Sequence, residues 1–152
     1  MKDEDKLIMS KKVNLASPKA GAKIIDVSDD FFAKCDRMLN DTDPIFIDDK
    51  YDDHGKWMDG WESRRKRVHG NDWAIIGLGG RCSIEDVIID TSHFTGNYPP
   101  AASLDFSFND SYETGSLEWH TLLEKQILKG DHVNPVSYTH LRAHETYVHL
   151  VC

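Results

Sequence analysis

The chain concentrates its chemically capable side chains in one short stretch. Residues 55–67 read GKWMDGWESRRKR, in which Trp57 and Trp61 flank Asp59, and Glu62 and three arginines follow. The planar fork of arginine binds a carboxylate or a ureido oxygen through two hydrogen bonds. A carboxylate beside aromatic side chains can act as a general acid or base. Each residue type also has an ordinary structural use, but their combination within one loop favours a functional site.

A second polar cluster lies in residues 90–100, DTSHFTGNYPP. It follows an apolar run and offers the varied polar side chains of Asp90, His93, Thr95 and Asn97. Loops at strand ends commonly build pockets, so these residues are a second candidate for a site. The alternative is a simple turn whose geometry is set by one glycine and two prolines.

Short apolar runs separated by turn-rich loops indicate the elements that must position these clusters. Strands are predicted within KIIDV, DWAIIGLGG, IEDVIIDTSHF and SLDFSF. The last run alternates Leu104, Phe106 and Phe108 with polar residues, which is typical of a strand with one buried face. Helical spacing occurs only in residues 117–131, LEWHTLLEKQILKGD. Many strands with little helix predict an all-β sandwich.

Polar residues are expected to shape the connections. Ser28, Asp29 and Asp30 follow the first predicted strand, and their side chains can cap exposed backbone amides. Residues 40–61 mix turn formers with aromatic residues and show no sustained helical period. We therefore expect a structured loop there.

Length and composition predict one soluble domain. The chain has 152 residues, of which 39% are hydrophobic and 29% charged, and residues 1–12 are expected to form a mobile lead-in. No apolar run approaches the roughly 20 residues of a membrane helix. The charged start lacks the apolar centre of a secretory signal, which favours an intracellular location. Three cysteines without metal-type spacing argue against a disulfide framework or a thiolate zinc site.

The overall charge argues against nucleic acid as a partner. The formal net charge is -8, although RRKR at residues 64–67 forms a local basic spot. Binding of nucleic acid would need a basic face rather than one short run. We therefore expect neither a nucleic-acid partner nor a membrane partner.

Histidines near the C-terminus suggest a metal site at first sight. On a helix, His140 and His144 would lie on one face, with His149 or Glu145 as a third donor. A histidine-rich surface segment is the plainer alternative. We predict no metal site and no cofactor, while metal dependence stays open.

A different interpretation accounts better for residues 136–152, VSYTHLRAHETYVHLVC. This segment resembles the conceptual translation of a transposon-type sequencing-library adapter, with constant stretches on both sides of a spacer at Tyr147 and Val148. We expect a non-native, adapter-derived tail, with the natural chain continuing past about Pro135. Such a tail was never selected to pack, so its apolar residues are expected to be exposed or misplaced.

Four segments together resemble the first repeat of the allantoicase family. They are SDDFFA at residues 28–33, GKWMDGWESRRKR, DWAII at residues 72–76 and DTSHFTGNYPP, in the family's order and spacing. The resemblance covers roughly residues 12–135. The chain departs from the family at Gly77, where a basic residue is usual, and at GGRCSIED, which replaces a Gly-Pro turn.

The resemblance implies a fold and an activity. Residues 13–135 would form a partial first domain, a jelly-roll β-sandwich of the galactose-binding-like type that is incomplete at its C-terminal end, followed by a similar second domain. The family hydrolyses allantoate to ureidoglycolate and urea in purine breakdown, and the fragment alone is expected to be inactive. The complete enzyme would be cytoplasmic or peroxisomal, and a homo-oligomer stays open. The alternative is a non-catalytic ligand-binding module, since such folds often bind ligands without chemistry.

With allantoate as the substrate, our hypothesis assigns roles to residues of the two loops, which are expected to share one hollow. The expected catalytic residues are Asp59, Glu62 and His93, with either carboxylate transferring the proton. The expected substrate-binding residues are Arg64, Arg65, Arg67, Trp57, Trp61, Thr95 and Asn97. One of the arginines would bind the substrate carboxylate, and His93 with Asn97 would contact ureido groups. At least one arginine is expected to be structural, because neighbours on a strand face opposite ways.

The adapter interpretation makes a testable prediction about the transcript. An uninterrupted coding transcript from the natural source is expected to depart from the printed sequence shortly after the codon for Asn134. Sequencing across this point without transposon-based library preparation is the measurement. A native transcript that encodes residues 136–152 as printed would contradict the adapter origin.

Overall fold

The computed structural model describes residues 12–80, 82–108, 116–136, 141–143 and 147–152. Within these ranges the strands are β1 (Lys23–Val27), β2 (Tyr51–Asp52), β3 (Gly55–Lys56), β4 (Trp73–Gly77), β5 (Cys82–Ile84), β6 (Val87–Asp90), β7 (Ala101–Ser107), β8 (His120–Ile127), β9 (Val133–Val136), β10 (Leu141–Ala143) and β11 (Tyr147–Val151). Short 3-10 helices at Pro18–Ala20 and Cys35–Leu39 are the only helical segments in this part of the chain. The predicted all-β fold is confirmed.

The largest sheet has five antiparallel strands in the order β1-β4-β11-β7-β8. Strand β4 lies inside this sheet, and residues 74–77 of its isoleucine-rich sequence are buried. Smaller ladders join β5 to β10, β6 to β9, and β2 to β3. The isoleucine-rich run of β4 has no polar alternation because both of its faces are covered by protein.

A second layer covers one face of the large sheet. Ile84 of β5 packs in one core cluster with side chains of β7, β8 and β11. Val87 and Ile89 of β6 pack against the same cluster. The core members are Ile84, Leu104, Phe106, Leu122, Leu123 and Val148. Two layers of strands around one apolar core agree with the predicted sandwich.

The helix predicted in residues 117–131 is wrong, because the structure has strand β8 there. Leu104 pairs with Leu123 and Asp105 pairs with Thr121, so Leu122 is an extra residue in β8. Such a bulge interrupts the period of two, and Leu122 and Leu123 are both buried. Adjacent buried leucines imitate helical spacing, which explains the error.

All four predicted strand runs contain a strand, but the predicted burial of Phe108 is wrong. Leu104 and Phe106 are buried in β7 as expected, but Phe108 lies beyond its end and is 42% exposed. Residues 40–61 form the expected loop, apart from the short β2–β3 ladder. The three polar residues after β1 accept backbone hydrogen bonds as predicted, from Trp73, Phe31 and Cys35 in turn.

Some sequence predictions concern residues outside the described ranges. These include residues 1–11 of the expected lead-in and the imidazoles of His140 and His144. Lys12 is described, and its ammonium contacts Asp86. In the described part of the chain, no helix has the length and apolar character needed to cross a membrane.

The expectation that the C-terminal segment would expose its apolar residues is wrong for β11. This strand lies between β4 and β7 and pairs with both along its five residues. Val148 is only 6% exposed, and Leu150 packs against the same core. Backbone groups on both flanking strands need partners, and an extended segment of any origin can supply them. The adapter origin of residues 136–152 therefore stays a prediction.

Replacing Val148 by Asp is expected to destabilise the domain strongly. The carboxylate would enter the apolar core without a partner, at a cost of about 3 kcal/mol or more in the free energy of unfolding. Denaturant titration would measure this loss. The matched control is Val68→Asp, because Val68 is 76% exposed and should tolerate the same change. Equal midpoints for the two variants would contradict the placement of β11 in the core.

Candidate active site

Two loops that are distant in sequence touch in the structure. We call residues 55–67 the tryptophan loop and residues 90–100 the histidine loop. The side-chain amide of Asn97 donates a hydrogen bond of 3.0 Å to Oε1 of Glu62. A Cβ atom at Gly60 would lie 3.0 Å from the Phe94 ring, so this glycine packs closely against the ring. The two loops therefore share one wall.

A hollow of about 220 Å³ opens where these loops meet. Its lining residues are Phe32, His54, Gly55, Lys56, Met58, Glu62 and Asn97. Pockets for drug-sized ligands measure about 300–1,000 Å³, so this hollow suits a smaller molecule. It combines apolar walls with a carboxylate, an amide, an ammonium and an imidazole, which is a composition suited to a small polar ligand.

Backbone pairing fixes the position of Glu62. Its amide donates to the carbonyl of Ala33, and its carbonyl accepts from the amides of Phe32 and Ala33, at 3.1 to 3.2 Å. Residues 28–33 therefore hold the tryptophan loop from one side. The carboxylate of Glu62 is consequently placed by the main chain and then oriented by Asn97.

Asp72, just before β4, anchors the next part of the same loop. Its carboxylate accepts hydrogen bonds of 3.0 Å from the hydroxyls of Ser28 and Ser63. The ammonium of Lys66 lies 3.5 Å from the same carboxylate. Ser28 also accepts from the amide of Trp73, which ties this network to the large sheet.

The histidine loop is braced by the segment between β8 and β9. The amide of His93 donates to the Asp131 carboxylate at 2.7 Å, and the amide of Asp131 donates to the Phe94 carbonyl at 3.0 Å. Thr91 donates its amide to the carbonyl of His132 at 2.9 Å. His93 and Asp131 both have positive φ, at 70° and 46°, so these contacts stabilise an uncommon backbone shape.

Several expected site residues anchor the tryptophan loop to neighbouring segments and are not among the residues that line the hollow. The Asp59 carboxylate accepts from the amide of Ile45 at 3.0 Å. The Trp61 indole donates to the Asp29 carbonyl at 2.8 Å. The Trp57 ring lies 4.0 Å from the Lys50 ammonium. One oxygen of the Asp59 carboxylate and the indole N–H of Trp61 thus already have partners within the protein.

The arginines also lie outside the residues that line the hollow. Arg64 forms an ion pair of 2.6 Å with Asp29, and its guanidinium lies over the Phe31 ring. Arg65 and Arg67 are exposed. Partial burial acts to raise the pKa of Asp29, but hydrogen bonds from the side chain and amide of Arg64 and from the Phe31 amide outweigh it. The pKa of Asp29 is therefore lowered.

The remaining expected residues lie at the edge of the site. The Nε2 atom of His93 is 3.2 Å from the Pro44 carbonyl oxygen, and its ring lies 5.8 Å from that of Phe46. Thr95 is exposed and does not line the hollow. The sequence analysis missed His54, Lys56, Phe32 and Met58, although Lys56 and Met58 belong to the tryptophan loop itself.

Metal ligands do not converge among the described residues, where no group of three or more His, Cys, Asp or Glu could hold an ion. His149 lies 5.7 Å from the Trp73 ring and 5.2 Å from the Trp119 ring, between centroids. Burial lowers the pKa of His149, and the nearby carboxylate of Asp105 only partly offsets this effect.

Comparison with known proteins identifies the family. A family model described as the allantoicase repeat matches residues 13–152. The chain therefore belongs to the allantoicase family. The match includes residues 136–152, whose origin was questioned above.

Curated relatives are substantially longer than this chain. A probable allantoicase from Acinetobacter baumannii (strain ACICU) is 47% identical over 141 residues, which cover 89% of this chain and 42% of the relative. A probable allantoicase 1 from Burkholderia mallei (strain ATCC 23344) is 48% identical over 139 residues, which cover 91% of this chain and 40% of the relative. The chain thus spans less than half the length of these relatives.

Solved structures agree with this assignment. The crystal structure of allantoicase from Saccharomyces cerevisiae superimposes with a TM-score of 0.78 at 28% identity, covering 98% of this chain and 48% of that chain. A second structure of allantoicase gives a TM-score of 0.78 at 27% identity, with the same coverage. The all-β architecture described above is therefore the architecture of this family.

Asp29→Asn is expected to lower the free energy of unfolding at neutral pH. A carboxylate whose folded-state pKa is lowered stabilises the fold above its unfolded-state value of about 3.9, and this contribution disappears as pH falls through the folded-state pKa. The difference from the parent should therefore be largest near neutrality and shrink in acid.

Denaturant titrations at several pH values would measure this difference. Asp53→Asn is the matched control, because Asp53 is exposed and its carboxylate has no hydrogen bond or ion pair within the described ranges. Two results would contradict the role of the Asp29–Arg64 pair. One is a loss of unfolding free energy in Asp29→Asn that does not change with pH, and the other is an equal loss in Asp53→Asn.

Proposed function

We propose that this chain is the first repeat of an allantoicase, which hydrolyses allantoate to ureidoglycolate and urea in purine degradation. Family membership supports the reaction, and the coverage of 42% of a curated relative supports a single repeat. The complete enzyme would act in the cytoplasm or peroxisome. The 152 residues alone are expected to be inactive, with residues 13–135 as the partial native domain and residues 136–152 as the adapter-derived tail.

The observation that best supports this proposal is the contact between Glu62 and Asn97 at the hollow. Allantoate has a carboxylate and two ureido groups on one carbon. Hydrolysis breaks the bond from this carbon to one ureido nitrogen, and one water molecule is consumed. A proton must reach the departing urea nitrogen, and the attacking water must lose one.

Glu62 can perform both proton transfers. As the acid it donates its proton to the departing nitrogen, and as the resulting carboxylate it accepts the proton of the water that attacks the central carbon. The proton count is then restored. Asn97 holds Oε1 at 3.0 Å, so Oε2 is the oxygen left to exchange the proton. Its fixed position reduces the orientational cost of the reaction.

The geometry favours Glu62 over Asp59 as the proton-transfer group. Glu62 lines the hollow, whereas the carboxylate of Asp59 accepts a hydrogen bond from the amide of Ile45. His93 does not line the hollow, and its ring lies beside that of Phe46. A ureido group can therefore contact His93 only if the substrate extends out of the hollow towards Phe46. Asn97 retains its carbonyl oxygen as an acceptor for a ureido N–H.

A binding module without chemistry is the second candidate. It is favoured by the scatter of the expected catalytic set, because Asp59, His93 and the arginines do not line the hollow. A ligand would then occupy the hollow without proton transfer by Glu62. Urea release separates this candidate from the enzyme.

Glu62→Gln in the complete enzyme is expected to lower turnover by about 100-fold or more, because an amide cannot transfer the proton. Asp59→Asn is the matched carboxylate-to-amide comparison and should retain most of the turnover. Urea released from allantoate is the readout, with folding checked by thermal unfolding. Unchanged turnover in Glu62→Gln would remove the acid assignment. Absence of urea release by the unaltered complete enzyme would favour the binding module.

A further inference from the structure

Charge in the hollow comes from very few groups. Among the described residues that line it, Lys56 alone has a permanently positive side chain, and Glu62 is the one carboxylate. Allantoate is an anion. When Glu62 is ionised, an entering carboxylate meets repulsion unless a cation lies beside it.

Lys56 is held in place before any ligand binds. It lies in β3, where it pairs with Tyr51 of β2. Its ammonium donates a hydrogen bond of 2.7 Å to the Ile47 carbonyl and lies 4.6 Å from the Phe46 ring centroid and 5.3 Å from that of Tyr51. Two aromatic rings and one carbonyl thus limit the freedom of a side chain that is usually mobile.

The ammonium of Lys56 still has binding capacity. A lysine ammonium has three N–H donors, and the bond to Ile47 uses one of them. No second acceptor for Lys56 is found within the described ranges. The remaining donors suit the two oxygens of a carboxylate, because charge-assisted hydrogen bonds are the stronger kind.

The arginines that the sequence suggested for this task are placed differently. Arg64 is paired with Asp29, and Arg65 and Arg67 are exposed outside the lining of the hollow. Moving Arg64 into the hollow would break its ion pair and its contact with Phe31. Lys56 itself lines the hollow, and its ammonium keeps two N–H donors beyond the one bonded to Ile47.

We propose that Lys56 binds the substrate carboxylate and makes the hollow selective for α-ureido carboxylates over uncharged ureides. This assignment rests on the proposed function, since it names the residue that recognises the anionic end of the substrate. It leaves Glu62 and Asn97 to face the ureido end. Lys56 is therefore a specificity-determining residue rather than an acid or base.

Binding of a matched pair of ligands tests this assignment on the 152-residue chain. N-carbamoylglycine has one ureido group and a carboxylate, and N-carbamoylglycinamide replaces only the carboxylate by an uncharged amide. Titration followed by NMR or calorimetry would give both dissociation constants. The dissociation constant of N-carbamoylglycine is expected to be lower by about tenfold or more, because only its carboxylate can form a charge-assisted hydrogen bond with the Lys56 ammonium.

Three variants show whether the preference depends on Lys56. Lys56→Met should abolish the preference, and Lys56→Arg should restore most of it. Lys125→Met is the matched control, because Lys125 is exposed on β8 and does not line the hollow. Thermal unfolding of each variant would confirm that the fold is retained.

The outcomes separate this assignment from the proposed reaction. A preference that survives in Lys56→Met, or equal or absent binding of both ligands to the unaltered chain, overturns the role of Lys56. Urea release by the complete enzyme with an unchanged KM in Lys56→Met overturns it too, while leaving the reaction intact. A Lys56-dependent preference without urea release leaves the role of Lys56 intact and removes the reaction.

Discussion

The site depends on the contact between the tryptophan loop and the histidine loop. Packing of Gly60 against the Phe94 ring brings the two loops together, and the hydrogen bond from Asn97 to Glu62 joins them at the edge of the hollow. A larger residue at position 60 would require the Phe94 ring to shift. Neither loop alone supplies both the carboxylate and the amide that orients it.

The β-sheet framework makes this contact possible by anchoring each loop separately. Asp72 ties the tryptophan loop to the start of β4, and Asp131 ties the histidine loop to the turn before β9. The first of these hydrogen bonds is partly buried and the second is exposed, and a typical hydrogen bond contributes only about 1 kcal/mol to stability. Their main effect here is positional, since each bond joins a loop of the site to a residue next to a strand of the β-sheet framework.

Sequence reasoning predicted the strands and the two loops but only part of the site. β-branched runs and alternation identify a strand locally, so β4 and β7 could be recognised without a structure. The helix in residues 117–131 could not be rejected, because the bulge at Leu122 depends on pairing with β7. The same limit applies to the site. Glu62 and Asn97 could be identified because their residue types suit the chemistry. Lys56 and His54 could not, because they line the hollow only through the path of a loop without sequence periodicity.

The proposed function requires allantoate to bind in the hollow between the two loops. A crystal structure of the chain with allantoate bound is the most direct measurement. We expect the ligand to lie between Glu62 and Asn97, with its carboxylate on the Lys56 ammonium. Allantoate bound on the exposed side, against Arg65 and Arg67, with the hollow empty, would contradict it.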